Sequence, residues 1–269
     1  MYFKLTAQHI DSYQTNGYII VRNFLSIPEV NKLSALAFSD SAMKQHAIDL
    51  NDQSGKKTKL TLWYFPDNDT YGLLTRSERI IHSVNQLMDG NSAVCHFHSK
   101  LMQKEPNVGG AWEWHQDYGY WYKNEFLFPD QMISVMVAIT DADKENGCLQ
   151  VIKGSHKMGR VEHGFTGDQT GASLHYVTLA LKTMALVYVE IKAGDALFFH
   201  PNLLHRSEAN LSDKPRWSLI SCYNRSENVP YNEPSISSIS PLDVVPDEAL
   251  LTYEIDEEKS KIEYVKKEN

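Results

Sequence analysis

Leu186-Val187-Tyr188-Val189-Glu190-Ile191-Lys192-Ala193-Gly194-Asp195-Ala196-Leu197-Phe198-Phe199 reads as two short strands on either side of a tight turn. Val, Ile, Tyr and Phe suit a pleated surface, and Ala193-Gly194-Asp195 has the residue types that reverse a chain. The same texture recurs from Ser134 to Thr140, Cys148 to Ile152 and Trp217 to Tyr223, with Asn146-Gly147 and Lys153-Gly154-Ser155 as punctuation. Short strands at this spacing predict a mainly β fold, a sandwich or barrel of antiparallel strands.

The chain before residue 92 reads differently. Thr6 to Asn16 predicts a helix stopped by Gly17, and Tyr18-Ile19-Ile20-Val21 a strand. Ser26 is a candidate N-cap for a helix from Pro28 to about Phe38, and Ser77 for one running through Ile80, Val84 and Met88 to Gly90. These N-terminal helices are expected to pack outside the strands. Residues 51 to 59 read as a polar loop, and Gly154 to Ala172 as a long loop near a barrel mouth. With no repeat and no second domain visible, the expectation is one domain over 1–269, in which 226–269 are peripheral.

Composition excludes several function classes. Lys+Arg 26 against Asp+Glu 34 gives a net charge of −8, which argues against general affinity for nucleic acid or an anionic membrane. No apolar run approaches the roughly 18 residues of a membrane-spanning helix. Cys95, Cys148 and Cys222 are odd in number, widely spaced and flanked by β-forming residues, as expected of reduced, buried thiols. Met1-Tyr2-Phe3-Lys4 lacks a secretory pattern and Lys266-Lys267-Glu268-Asn269 lacks a targeting tail, so a cytoplasmic protein is expected. Oligomeric state is left open.

Trp112-Glu113-Trp114-His115-Gln116-Asp117 carries the most chemistry. In extended backbone, residues i and i+2 project to one side, so His115 and Asp117 converge. They supply two of the three ligands of a 2-His-1-carboxylate facial triad, which leaves positions on Fe(II) open. Alone, a His-x-Asp pair is more often simply solvated or hydrogen-bonded. A third ligand decides, and His200-Pro201-Asn202-Leu203-Leu204-His205 offers two histidines. His205, beyond a Pro-containing turn, suits a residue re-entering the barrel; His200 suits a core histidine bonded to backbone. Arg216, eleven residues past His205, either projects inward to clamp a carboxylate or sits on the surface at a strand end.

Taken together, these segments resemble the phytanoyl-CoA dioxygenase family of Fe(II)/2-oxoglutarate-dependent oxygenases. The resemblance runs over about residues 6 to 225, from Gly17-Tyr18-Ile19-Ile20-Val21-Arg22-Asn23-Phe24-Leu25 through Trp114-His115-Gln116-Asp117 and Asn146-Gly147-Cys148-Leu149-Gln150. It closes with Gly154-Ser155-His156-Lys157, Ala193-Gly194-Asp195, His205-Arg206-Ser207, Asn210 and Arg216. What the resemblance implies is a double-stranded β-helix (jelly roll, cupin-like) core flanked by N-terminal α-helices. His115, Asp117 and His205 would hold Fe(II). Arg216, assisted by Ser207, would pair with the distal carboxylate of 2-oxoglutarate, while Gln116 and the segment His98-Ser99-Lys100 line the co-substrate pocket. O₂ would be consumed, with ascorbate supportive, and a small organic substrate hydroxylated with release of succinate and CO₂. Because Asp117 is a carboxylate, hydroxylation is implied over halogenation. Arg206 departs from the glycine of several relatives, and Lys153 from a usual proline.

Substrate residues are less determined. Tyr118 and Trp121 follow Asp117 within an aromatic cluster and are expected to wall the pocket against an apolar molecule, or a cation through its π face. Arg206 is expected either in a surface salt bridge or at the pocket mouth, paired with a substrate anion. Without a basic patch, a small free molecule is favoured over a CoA thioester. Two other readings stay open: a metal-dependent jelly-roll isomerase or hydrolase, which has no need of Arg216, and a non-enzymatic sugar-binding jelly roll, which has no need of the triad.

Overall fold

The computed structural model describes residues 3–39, 46–166, 169–232, 236–253 and 263–265. The C-terminal tail Lys266–Asn269 and residues Met1 and Tyr2 lie outside these. In chain order the strands are β1 (Tyr18–Val21), β2 (Ile48–Asn51), β3 (Lys57–Trp63), β4 (Val94–Lys104), β5 (Trp112–His115), β6 (Met132–Ala138) and β7 (Leu149–Ile152). There follow β8 (His163–Thr166), β9 (Gln169–Ala172), β10 (Leu186–Val189), β11 (Ala196–Phe199), β12 (His205–Ser207) and β13 (Arg216–Arg225). A seven-stranded sheet, β1-β11-β6-β13-β4-β3-β2, faces a four-stranded one, β10-β7-β12-β5, and every pairing within them is antiparallel. This is the antiparallel sandwich expected from the strand spacing, in the jelly-roll form that the family resemblance implies.

Alternation along the strands creates three apolar layers. Between the sheets lie Met102, Met136, Leu197, Phe199, Ile220 and Val151. On the outer face of the large sheet, Leu101, Val135, Val137, Phe198 and Leu219 are covered by helices α1 (Ala7–Asn16), α2 (Ile27–Ser39) and, past the short α3 (Thr70–Thr75), α4 (Glu78–Leu87). The small sheet's outer face holds Trp114, Ile152 and Leu204. It packs on Val177 and Ala180 of a further helix, Leu174–Thr183.

Local chemistry fixes the entries. Thr6 caps α1 in a box completed by His9, and Gly17 leaves the helix at φ 81°, a left-handed backbone that costs glycine little. At α2 the Glu29 carboxylate accepts from the Ser26 amide and hydroxyl, both at 2.7 Å, and from Arg79 at 2.6 Å. The strand–turn–strand that opened the sequence reading turns on Gly194, where φ is 88° and an added Cβ would meet Val30 at 2.8 Å. Asp195 then closes the turn by accepting from the amides of Asn23 and Lys192.

The structure differs from the sequence reading where polar residues build strands. Residues 51–59 are not all loop: β3 begins at Lys57 and pairs with β2, around a turn organised by Asp52, which accepts from the amides of Ser54, Lys56 and Ala111. Within Gly154–Ala172, β8 and β9 form an antiparallel ladder whose Gly and His content hides it from a β-propensity reading. In the segment expected at the periphery, Leu250 joins the outer core, and Pro230 and Ser238 reach the internal cavity.

The Glu29–Arg79 pair is largely buried. Burial alone would raise the Glu29 pKa, but hydrogen bonds from Arg79 and Ser26 outweigh it and hold the carboxyl below its ordinary value. A depressed folded-state pKa means stabilisation present at neutral pH and lost as pH falls through the acid range. Glu29→Gln should therefore destabilise by about 2–3 kcal/mol at pH 7, with a gap to the parent that closes as pH drops below the usual carboxylate value. Urea denaturation at pH 7 and pH 3 measures both.

Candidate active site

β5 and β12 pair so that His115 stands directly opposite His205. Each imidazole is tied from behind: His115 Nδ1 donates to the Glu113 carbonyl at 2.7 Å and His205 Nδ1 to the Leu203 carbonyl at 2.9 Å. That fixes the tautomer, leaving the Nε2 lone pairs turned inward. Asp117 begins the short helix α5 (Asp117–Trp121), and its Oδ1 lies 3.8 Å from His115 Nε2 and 3.9 Å from His205 Nε2. Ser134 donates to the other carboxylate oxygen at 2.5 Å. All three side chains are buried. Among the described residues this is the one His/Cys/Asp/Glu cluster with metal-binding spacing.

The cluster is electrostatically prepared for a cation. Burial would raise the Asp117 pKa, yet Lys100, His205, His115 and Ser134 bring it down to about 2, so it is a carboxylate. Burial depresses both imidazoles, His115 further because His205 is beside it, so each presents a neutral nitrogen. Two metal bonds of about 2.1 Å span at most about 4.2 Å across a shared ion, so the two measured separations fit one divalent metal. His200 belongs elsewhere. Its Nε2 donates to Asp130 at 2.7 Å and its Nδ1 accepts from the Asn202 amide, which makes it a structural histidine.

Arg216 is buried, at the end of β13 on the sheet's inner face. Its Nη1 donates to the Gly147 carbonyl at 2.6 Å, and no carboxylate among the described residues pairs with it. Burial lowers its pKa to about 10, so the guanidinium stays charged at neutral pH. A buried, charged guanidinium lacking an anion is suited to receive one. Ser207 is buried two residues beyond His205. Lys104, which the sequence reading missed, lies opposite Arg216 in register and is fully buried, with its ammonium on the Ser207 and Glu208 carbonyls. Burial and Arg216 push its pKa well down. Its place two residues from Met102, on the same face of the strand, was the available signal.

Several expected residues fall elsewhere. Gln116 projects opposite to its neighbours: its amide donates to the Gly159 and Asn202 carbonyls and accepts from Val161, so it clamps two backbone segments and does not line a pocket. Lys100 does face inward, 4.0 Å from Asp117. It sits four residues along β4 from Lys104, about 13 Å at strand rise, and so stands at the metal end, away from Arg216. A cavity of about 710 Å³ opens above the triad. Trp121 lines it but Tyr118 does not, since the Tyr118 hydroxyl is spent on the Phe126 carbonyl. The reason is helical: from Asp117 the i+3 and i+4 positions share a face, so Tyr120 and Trp121 look inward. Arg206 is on the outer face, bonded to Gln150 and Glu208 with its guanidinium over Trp114. Strand alternation turns it away from His205 and the cavity. Lys153 is exposed, and the three cysteines are buried and free, as expected.

A facial two-histidine, one-carboxylate site between jelly-roll sheets is the arrangement of the non-haem Fe(II)/2-oxoglutarate-dependent dioxygenases, and comparison with known proteins agrees. The chain belongs to the phytanoyl-CoA dioxygenase (PhyH) family, whose sequence profile matches residues 13–218. It is 28% identical over 234 residues to an L-proline trans-4-hydroxylase of Streptomyces griseoviridis, covering 81% of this chain and 86% of that one. It is 24% identical over 244 residues to an ectoine dioxygenase of Bordetella bronchiseptica, covering 83% and 77%. In three dimensions it resembles the iron-bound crystal structure of EctD from S. alaskensis, with TM-score 0.72, 20% identity and coverage of 90% and 88%. Membership decides against the isomerase, hydrolase and sugar-binding readings. No helix among the described residues is long and apolar enough to cross a membrane.

The placement of Arg206 makes a prediction. Arg206→Gly should leave the KM for 2-oxoglutarate and for the substrate within about twofold, and cost about 1 kcal/mol of stability through its lost ion pair and ring contact. Steady-state kinetics and a melting curve check the two parts.

Proposed function

We propose that this chain hydroxylates a small organic molecule at a ferrous centre held by His115, Asp117 and His205, with 2-oxoglutarate anchored by Arg216 and Ser207. The observation that carries the reading is the conjunction of two tautomer-locked imidazoles on one carboxylate oxygen with a buried guanidinium that has no anion of its own. When bound, the ferrous ion, 2-oxoglutarate and O₂ supply the oxidising chemistry, in which decarboxylation to succinate and CO₂ accompanies insertion of oxygen into a substrate C–H bond. The chain's part is positioning. The Glu113 and Leu203 carbonyls aim the imidazoles, and Ser134 holds the carboxylate so that Oδ1 faces them. Arg216 sets the co-substrate's far end, and the apolar walls keep bulk water from the reacting centre.

Asp117→Ala should abolish both stoichiometric iron binding and substrate-dependent succinate release, since the remaining two ligands lose the charge that favours a divalent ion. Arg216→Ala should keep iron but raise the KM for 2-oxoglutarate about a hundredfold, the equivalent of about 3 kcal/mol for a desolvated charge pair. Metal analysis and a succinate assay over a substrate panel test both. Full iron occupancy in Asp117→Ala, or an unchanged KM in Arg216→Ala, would count against the assignment.

A further inference from the structure

The cavity over the triad has a composition that bears on what enters it. One wall, from the β2–β3 hairpin, is aliphatic: Ile48, Leu50, Leu60 and Leu62. Much of the remaining lining is aromatic, with Phe97, Trp112, Tyr120, Trp121 and Phe126. Beside the metal cluster two nitrogen groups project into it. Lys100 is largely buried and has only Asp117 as a charged neighbour, at 4.0 Å. His98, packed edge-on to Phe97 and Trp121, makes no hydrogen bond within the described protein. Burial pushes its imidazole down to about 3, so it is a neutral donor. The far end offers the uncharged Asn124 and Ser238.

Charge balance then singles out Lys100. In the loaded enzyme the divalent ion and the 2-oxoglutarate dianion cancel, Asp117 and Arg216 cancel, and Lys104 has its nitrogen on the Ser207 and Glu208 carbonyls, outside this cavity. Lys100 is left uncompensated in an apolar chamber. A cation buried without a partner is costly, and a carboxylate supplied by the substrate would satisfy it. A zwitterion or a cation would instead bring an ammonium to a wall with no free carboxylate. Size points the same way. At about 30 Å³ per water-sized group, 710 Å³ holds roughly two dozen. Arg216 and Ser207 do not line this cavity, so 2-oxoglutarate, with ten non-hydrogen atoms in all, takes at most that share of it and leaves space for about fourteen or more.

We propose that the primary substrate is a largely hydrocarbon monoanion, an apolar carboxylic acid of about a dozen or more non-hydrogen atoms. Its carboxylate lies at Lys100 and His98, and its body lies along the β2–β3 wall. The charge argument rests on the ferrous, 2-oxoglutarate-dependent reading above; the wall argument does not.

The test uses the whole chain loaded with Mn(II) and 2-oxoglutarate under argon, with Trp112 and Trp121 fluorescence as the readout. Dodecanoate should bind at least about tenfold more tightly than dodecyltrimethylammonium, the scale of one charge-assisted contact. From hexanoate to dodecanoate each added methylene should tighten binding about three- to fourfold. Lys100→Met, or Lys100→Gln if the first does not fold, should erase the preference between head groups and keep the chain-length series. Equal binding of the two head groups, a flat chain-length series, or saturation by L-proline or ectoine at lower concentration than by dodecanoate would overturn the proposal. The electron paramagnetic signal of Mn(II) separates the two readings. If the parent does not bind the ion, the ferrous assignment fails and the anion preference goes with it. The chain-length series in metal-free protein would still support or overturn the hydrocarbon wall.

Discussion

His115 and His205 come from strands ninety residues apart and meet as register partners of the small sheet. A one-residue slip of β12 against β5 would turn His205 to the outer face and bring Arg206 in, replacing a neutral nitrogen ligand with a cation beside Asp117. The register is therefore the constraint on which the site depends, and much of the molecule holds it. β7 pairs with the other edge of β12 over three residues. Gln116 ties the turn before α5 to the backbone at Gly159, Val161 and Asn202, which bracket the approach to β12. The Leu204 amide donates to Ser155 at 2.9 Å. These are buried hydrogen bonds with the full cost of desolvation behind them, so a misregistered alternative would leave several groups unpaired at once.

The three apolar layers have different tasks. The outer face of the large sheet is ordinary core under helices, with Trp217, Leu219 and Tyr223 alternating against Ser218, Ile220 and Cys222 on the inner face. The inner face carries Lys100, Lys104 and Arg216 along two adjacent strands, whereas the buried Arg225 at the other end of β13 is satisfied by Asn85 and by the Met88 and Asp89 carbonyls at the end of α4. A helix-covered outer face allows this, because the sheet gains its stability on one side while the other hosts cations partnered by backbone carbonyls or, for Lys100, by Asp117. Those groups are costly in isolation, and the cost is recovered with an anion present.

Much of this was legible in the sequence. Strands such as Ala196–Phe199, and the triad itself, were readable because alternation and turn chemistry are local, and because His115, Asp117 and His205 keep an order and spacing that a family shares. What escaped was whatever depends on a change of local geometry. Asp117 starts a helix, so the period switches from two to three or four at that residue and Tyr120, not Tyr118, turns inward. Gln116 looks like a pocket residue in a motif and is a backbone clamp in space. Lys104 and the aliphatic wall of β2 and β3 lie in stretches whose lysines and threonines read as solvent-exposed, although their alternate residues are buried.

The β2–β3 hairpin forms one margin of the large sheet; within the sheet it pairs only with β4, and its turn is tied to the segment before β5, where Asp52 accepts from Ala111 and the Lys57 carbonyl from Gly110. His115, Asp117, His205 and Arg216 all lie outside the hairpin, on β5, α5, β12 and β13. The aliphatic part of the cavity lining thus comes from a stretch that carries none of those four residues, whereas Trp112 and Trp121 share β5 and α5 with His115 and Asp117. The cavity-facing side chains of the hairpin can be exchanged while its turn, which holds Gly110 and Ala111 just before β5, is kept. A lineage that alters that margin can acquire a new substrate while inheriting its oxidising machinery intact, and a laboratory library confined to Ile48, Leu50, Leu60 and Leu62 would follow the same route.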